Sequence, residues 1–328
     1  RTPAEVQGAA TSYFRIYFLG YPFLLLYDFG SALLRARGDS KRPFLALVLS
    51  GILNVLLNLF FVIVCGLGVA GVSIATDLAS VLSAGLVLWW LGKEEGFLHF
   101  SVRDLALYRG YTGKILQIGI PAALQGAVFC FANIFVQTAV NGFGTVVASG
   151  SAIAMNFEYF GYYMLTSFGQ AATTFTSQNY AAGQEERCRK ILKRSLLLSV
   201  LFGAAVTVPL TVFRVQSSAL FSPDADVIAE SCRRILLVLA FEPVCGLYEV
   251  PAGVLRGRGH SALPAGLMIV GICCFRITWI LTLFRKIGTL TSLYIVFPLS
   301  WVLTLALMMA GFLAVMHRPS VKNSPASV

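Results

Sequence analysis

The sequence predicts an all-α polytopic membrane protein with nine transmembrane helices, drawn from a twelve-helix parent made of two six-helix bundles. Three observations carry this expectation. The first is composition: of 328 residues 57% are hydrophobic and only 12% charged, with a mean hydropathy of +0.77, too little polar surface to coat a water-soluble globule of this size. The second is a series of apolar runs, each near or above the roughly 20 residues needed to span a bilayer core. The third is an internal repeat.

The nine runs lie at 13–34, 44–65, 69–91, 115–140, 147–177, 191–213, 233–255, 263–284 and 290–315. They lack the alternation of a membrane barrel, and an open sheet would leave its edge groups unpaired in lipid, so the runs are helices. Threaded alternately through a bilayer, they gather most of the 25 Lys and Arg on one side, including Arg35, Arg37, Lys41, Arg42, Arg187, Lys190, Arg256 and Arg258. Arg233, Arg234 and Arg285 fall on the other side and Arg276 inside a span. The basic side is the cytoplasmic one, which makes the C-terminus cytoplasmic. Charge placed in this way anchors topology, so the net +10 does not predict a nucleic-acid partner.

The repeat is PFLLLYDFGSALLRARGDSKRP at 22–43 against PVCGLYEVPAGVLRGRGHSALP at 243–264. At an offset of 221, Pro22/Pro243, Tyr27/Tyr248, Leu34/Leu255, Arg35/Arg256, Arg37/Arg258, Gly38/Gly259 and Pro43/Pro264 are among the identities, and Asp28 faces Glu249. The second copy lies on the fourth helix after a polar connection and has two helices behind it. The first copy has two behind it and none before. Symmetry therefore predicts three further helices upstream of Arg1 and halves related by an axis along the membrane normal. Four segments follow: 1–92 as the remainder of the N-terminal bundle, 93–114 as a cytoplasmic linker, 115–316 as the C-terminal six-helix bundle, and 317–328 as a cytoplasmic tail.

Seven scattered cysteines and three histidines form no metal or catalytic spacing, and no GxxxxGK[ST] is present, so neither an enzyme, a metal site nor nucleotide-driven transport is expected. Ionisable groups inside spans are costly and mark functional positions. Asp28, mid-way along the first helix, is the foremost of them. Asn54 and Asn58 share a face of the second helix by their i, i+4 spacing, and Thr76 lies in the third. Gln125, Asn133, Gln137, Asn156 and Glu158 occur on the fourth and fifth helices and, with Glu249, are candidates for lining a substrate cavity. There a carboxylate beside Tyr159 and Tyr162 suits an organic cation.

The loop motif LRARGDSKRP, its echo LRGRGHSALP, GVAGVSIAT opening the third helix and TSQNYAAGQEERCRK ending the fifth, in this order, resemble the multidrug and toxin extrusion (MATE) family. The run IGIPAALQGAVFCFANIFVQTAVNGFG is most similar to its bacterial DinF-like branch. The resemblance implies a secondary antiporter of the bacterial inner membrane. It would export amphipathic or cationic compounds in exchange for H⁺ or Na⁺, with no cofactor and no obligate protein partner beyond the bilayer. In the branch coupled through the first half, the resemblance implies a cation site at Asp28, Asn54, Asn58 and Thr76. The chain departs from that pattern: Asn58 stands where the family has a carboxylate and Asp28 where it has an amide. The other family arrangement places a Glu where this chain has Phe129. Alternatives are a lipid-linked oligosaccharide flippase of related architecture and an inactive, truncated membrane protein.

Overall fold

The computed structural model describes residues 4–95, 99–101, 106 and 108–316. The regular structure of those residues is helix, without strands, and they divide into two compact units, 1–107 and 108–328. The tail expected at 317–328 lies outside the described residues.

The first unit is a three-helix assembly. Helix α1 (Ala4–Ala36) and helix α2 (Lys41–Leu59), the latter prolonged by a π-helical turn at Phe60–Val64, both pack on α3 (Gly68–Gly92). Its buried centre is Tyr27, Leu34, Ala46, Ala84, Val87 and Leu91. Gly30 is required by the close approach of α3, because a Cβ there would meet the Leu91 side chain at 3.3 Å and Val87 closer still. Most of α2 remains uncovered by protein; Phe44, Ile52, Val55, Leu56 and Ile63 are exposed, as expected of a helix whose solvent is hydrocarbon.

The second unit is built from α4 (Arg109–Asn141), α5 (Thr145–Ala181), α6 (Glu185–Val212), the short α7 (Arg214–Ala219), α8 (Ala225–Leu237) and α9 (Pro243–Gly257). A further segmented span follows: α10 (Ala262–Met268), α11 (Phe275–Trp279) and α12 (Arg285–Ile287), joined by π turns at Ile269–Cys274 and Ile280–Phe284. The last helix is α13 (Leu290–Met316). Helix α8 starts where Asp224 Oδ1 accepts the Asp226 and Val227 N–H groups at 2.9 and 3.4 Å, a capping arrangement that satisfies orphan donors of the first turn. Between α8 and α9 a 3-10 turn at Leu239–Phe241 interrupts the span, and Pro243 opens the next helix where its missing N–H costs nothing.

Among the described residues eight stretches are long and apolar enough to cross a membrane, α8 with α9 and α10 through α12 each counting as one. Helix α5, 37 residues long, is not among them because Ser, Thr, Asn, Gln and Tyr recur along it. Two boundaries need correction. Helix α4 begins at Arg109, so the end of the expected 93–114 linker is helical. The span expected to start at 233 begins at Ala225, which carries Arg234 inward by more than two turns.

Both copies of the repeat end their helices in the same way. The Gly38 N–H donates to the Arg35 carbonyl at 2.9 Å and the Asp39 N–H to Leu34 at 3.0 Å; the Gly259 N–H donates to Arg256 at 2.9 Å and the His260 N–H to Leu255 at 2.9 Å. Gly38 and Gly259 take φ values of 96° and 88°, the left-handed cap that closes a helix at little cost only with glycine. The arginine before each glycine then reaches an acid within its own unit. Arg37 and Arg42 both hold Glu94, and Arg258 bonds Glu185 at 2.6 Å.

Helices α5 and α9 meet through small residues, which let backbones approach closely where lipid supplies no hydrophobic drive. A Cβ at Gly257 would stand 2.7 Å from the Thr173 carbonyl oxygen and 2.9 Å from Thr176 Cβ. Gly257→Val therefore overpacks this contact and costs about 1–3 kcal/mol, read as a lowered thermal midpoint in detergent. Gly266→Val, where a Cβ meets nothing within 4 Å, leaves that midpoint close to the parent's.

Candidate functional site

In the first unit α2 and α3 bring three of the expected residues together. Asn58 Nδ2 donates to Asn54 Oδ1 at 3.0 Å, Asn54 Nδ2 donates to Thr76 Oγ1 at 3.4 Å, and Thr76 Oγ1 donates to the Val72 carbonyl at 2.9 Å. The spacing of the two amides aligns them on one face of α2, and Thr76 meets them because α2 packs on α3. The chain runs in one direction and leaves Asn58 Oδ1 buried with no hydrogen-bond partner. Asp28 is not part of it: its residue is exposed on α1, and it makes no hydrogen bond or ion pair with the three among the described residues. Asp77, next to Thr76, presses against α1, where a Cβ on Gly20 would collide with its carboxyl.

The residues expected to line a cavity in the second unit do not converge. Asn156 is exposed and donates to the Ala152 carbonyl of its own helix at 3.0 Å, and Gln137 donates to Asn141 Oδ1 at 2.9 Å. Gln125 donates to Met268 Sδ at 2.9 Å and accepts from Arg256 at 3.4 Å. Glu249 lies 3.8 Å from Arg256 Nη1. Asn133 Oδ1 accepts from Arg276 Nη1 at 3.3 Å.

Glu158 has the most changed surroundings. Arg234, only 3% exposed, grips it with two parallel bonds, Nε to Oε1 at 2.6 Å and Nη2 to Oε2 at 2.7 Å, while Nη1 donates to the buried Ser151 Oγ at 2.6 Å. The same guanidinium lies 5.4 and 5.3 Å from the ring centres of Tyr294 and Phe297. The fork geometry satisfies both carboxylate oxygens, so the charge of Glu158 is spent within the protein rather than offered beside Tyr159 and Tyr162. Hydropathy alone starts the span at 233 and so puts Arg234 at its outer mouth. The signal that places it inside is the buried stripe Val227, Ser231, Arg234, Val238, a helical period running through the charge.

A lone arginine in a span ordinarily extends to an interface or pairs with an acid. Arg276 does neither. It is 1% exposed, bonds Ser300 Oγ at 3.0 Å and Asn133, and lies 4.3 Å from the Phe297 ring centre. No carboxylate lies within ion-pair distance of it among the described residues.

Removing one member of a buried fork leaves the other uncompensated. Glu158→Gln should destabilise the second unit by about 3–5 kcal/mol, seen as early unfolding in a denaturant or thermal series. Glu158→Gln combined with Arg234→Met should recover most of that loss. Equal losses in the single and double variants would show that the fork carries no such energy.

A family model described as MatE matches residues 121–282, and one described as Lipid II flippase MurJ matches residues 3–149. The chain is 24% identical over 280 residues to the probable multidrug resistance protein YoeA of Bacillus subtilis, covering 83% of this chain and 60% of that protein. It is 23% identical to the probable multidrug resistance protein NorM of Thermotoga maritima, covering 87% and 63%. The FAD transporter of Shewanella oneidensis is 24% identical, covering 80% and 58%. The chain thus spans about 60% of the length of these relatives. Among solved structures, a MATE protein in the bent conformation superimposes with a TM-score of 0.82 at 20% identity, covering 97% of this chain and 70% of that one. The Vibrio cholerae MATE transporter VcmN in its bent form gives 0.81 at 16%, covering 96% and 71%. In fold, in motif order and in these matches the chain is similar to the MATE family of transporters.

Proposed function

We propose that the protein works as a secondary antiporter of the bacterial inner membrane, its C-terminus cytoplasmic, exporting small amphipathic or cationic organic compounds against H⁺ or Na⁺. The observation that carries this reading is the directed chain Asn58–Asn54–Thr76 within a helical bundle, ending on a buried amide oxygen with nothing to accept from. A buried acceptor left unpaired costs on the order of 1–3 kcal/mol, and a cation or a protonated carboxyl supplies the missing donor or charge. The reading assigns the ionisable group to Asp28 of helix α1, which stands outside this hydrogen-bonded chain in the form described. Binding there biases the first unit between two forms, and exchange requires that ion and exported compound favour different ones. The named activities of the relatives, multidrug resistance in two and FAD transport in a third, support export of small organic molecules.

A second reading has its own support in the flippase model matched over residues 3–149: a carrier of lipid-linked sugars. Binding of a lipid-linked oligosaccharide by the purified protein, with no efflux of ethidium, would favour that reading.

The antiport reading is tested by Asp28→Asn and Asn58→Leu in cells and vesicles. Asp28→Asn is expected to reduce ion-driven ethidium efflux by about tenfold or more. Asn58→Leu should weaken its dependence on ion concentration. Efflux that stays unchanged in Asp28→Asn across a pH and Na⁺ series removes Asp28 from the mechanism.

A further inference from the structure

Arg234, Arg256 and Arg276 and the acids Glu158, Glu242 and Glu249 stand within the second unit, and their pairing is incomplete. Glu158 is closed by Arg234 and Glu249 by Arg256. Glu242 is left over, with 2% of its surface exposed, no ion pair among the described residues, and its Oε2 buried without a hydrogen-bond partner. An ionised carboxylate held this way in a spanning segment is costly and persists in proteins where it is used.

Its position is unusual too. Glu242 directly follows the 3-10 turn Leu239–Phe241 and caps α9, so it stands at the break near the middle of the Ala225–Gly257 span. Interrupted helices at mid-membrane are where transporters bind ions, because the break frees backbone groups and permits movement. The carboxyl lies against α5 at Gly161, where a Cβ would stand 3.2 Å from Glu242 Cδ. Gly161 is three residues from Glu158, one turn along the same face. Thr207 of α6 borders the same spot, 3.7 Å from that Cβ position. It also lines a recess of about 120 Å³ with Thr211 and Ala240, and the Thr211 hydroxyl is likewise buried and unpartnered. Thr207 thus stands between the unpartnered carboxyl, which it borders at Gly161, and the recess that holds the unpartnered Thr211 hydroxyl.

We propose that Glu242 is a proton-binding site of the second unit, loading and releasing a proton at the break between α8 and α9. It rests on the antiport reading above and assigns H⁺ as the ion of this unit. The ionisable groups around it are Glu158 on α5, Arg234 on α8 and Cys245 on its own helix; α6 has none from Ser195 to Val212. Because Arg234 is committed to Glu158, the charge of Glu242 changes without breaking an existing pair. The repeat does not foretell this acid, since the residue 221 positions earlier is Tyr21.

The test is infrared difference spectroscopy of the full chain in lipid nanodiscs over an acid-to-alkaline series. The protein is expected to show a protonated-carboxyl band that is lost in alkali, absent from Glu242→Gln and retained in Asp28→Asn. Gly161→Ala, which places a methyl against the carboxyl, should shift the midpoint of that band. Identical bands in Glu242→Gln and the parent overturn the proposal. Should Glu242→Gln lose its helical circular dichroism, an unshifted midpoint in Gly161→Ala overturns it instead. If ion-driven efflux is absent while the Glu242 band titrates as described, the antiport reading falls and the proton site stands.

Discussion

A guanidinium inside a spanning segment has to bring its counter-charge with it, and the fork between Arg234 and Glu158 is the interaction around which the second unit is arranged. It joins α8 to α5 by two charge-assisted bonds and adds Ser151 by a third. Tyr294 and Phe297 of α13 flank the cation with their ring faces. One side chain thereby ties three helices, and the small-residue seam of α5 against α9 becomes possible because α5 is already held in register. Phe297 is shared with Arg276, and cation–π attraction from one ring to both buried cations offsets part of their mutual repulsion.

The repeated loop does a different task. In both copies the helix ends on a left-handed glycine with the same pair of cap hydrogen bonds, and the arginine before it takes a carboxylate from elsewhere in its unit. The two copies share the cap and the basic anchor, while their span interiors differ. Asn54 and Asn58 have Phe275 and Trp279 as their mates at the same offset. The first unit keeps a neutral polar chain inside α2 and α3, and the second keeps paired charges.

Helical spans are readable from hydropathy and length, because hydrocarbon thickness sets the scale of each run. Interruptions are not. The 3-10 turn at Leu239–Phe241 and the π turns at Ile269–Cys274 and Ile280–Phe284 sit in sequence as apolar as the helices around them, with Pro243 as the one visible marker. Asn54, Asn58 and Thr76 are legible as a group, since i, i+4 spacing on one helix and packing of the next bring them together. Arg234 is misplaced by a hydropathy reading because the apolar run at 233–255 opens on the charges, whereas the amphipathic stripe starts about two turns upstream at Val227. The partners of Glu158 and Asn133 are arginines brought in by the tertiary fold, and sequence spacing carries little information about such crossings, whereas Arg256 stands two turns past Glu249 on the same helix α9.

The charge count of the second unit bears directly on exchange. With Glu242 ionised, Glu158, Glu242 and Glu249 match Arg234, Arg256 and Arg276 in number; protonating Glu242 adds one positive charge to this set. A cationic compound entering this unit would meet a more repulsive interior with Glu242 protonated than with it ionised. Low effective dielectric makes that difference larger than it would be in water. In the proposed antiport, proton and cation would then oppose each other without occupying the same atoms, which is the thermodynamic requirement for moving one against the other. The carboxyl that performs this has to be free of an arginine, since a fork such as the one on Glu158 would hold its charge fixed. Of the three acids, Glu242 is the one that meets that condition.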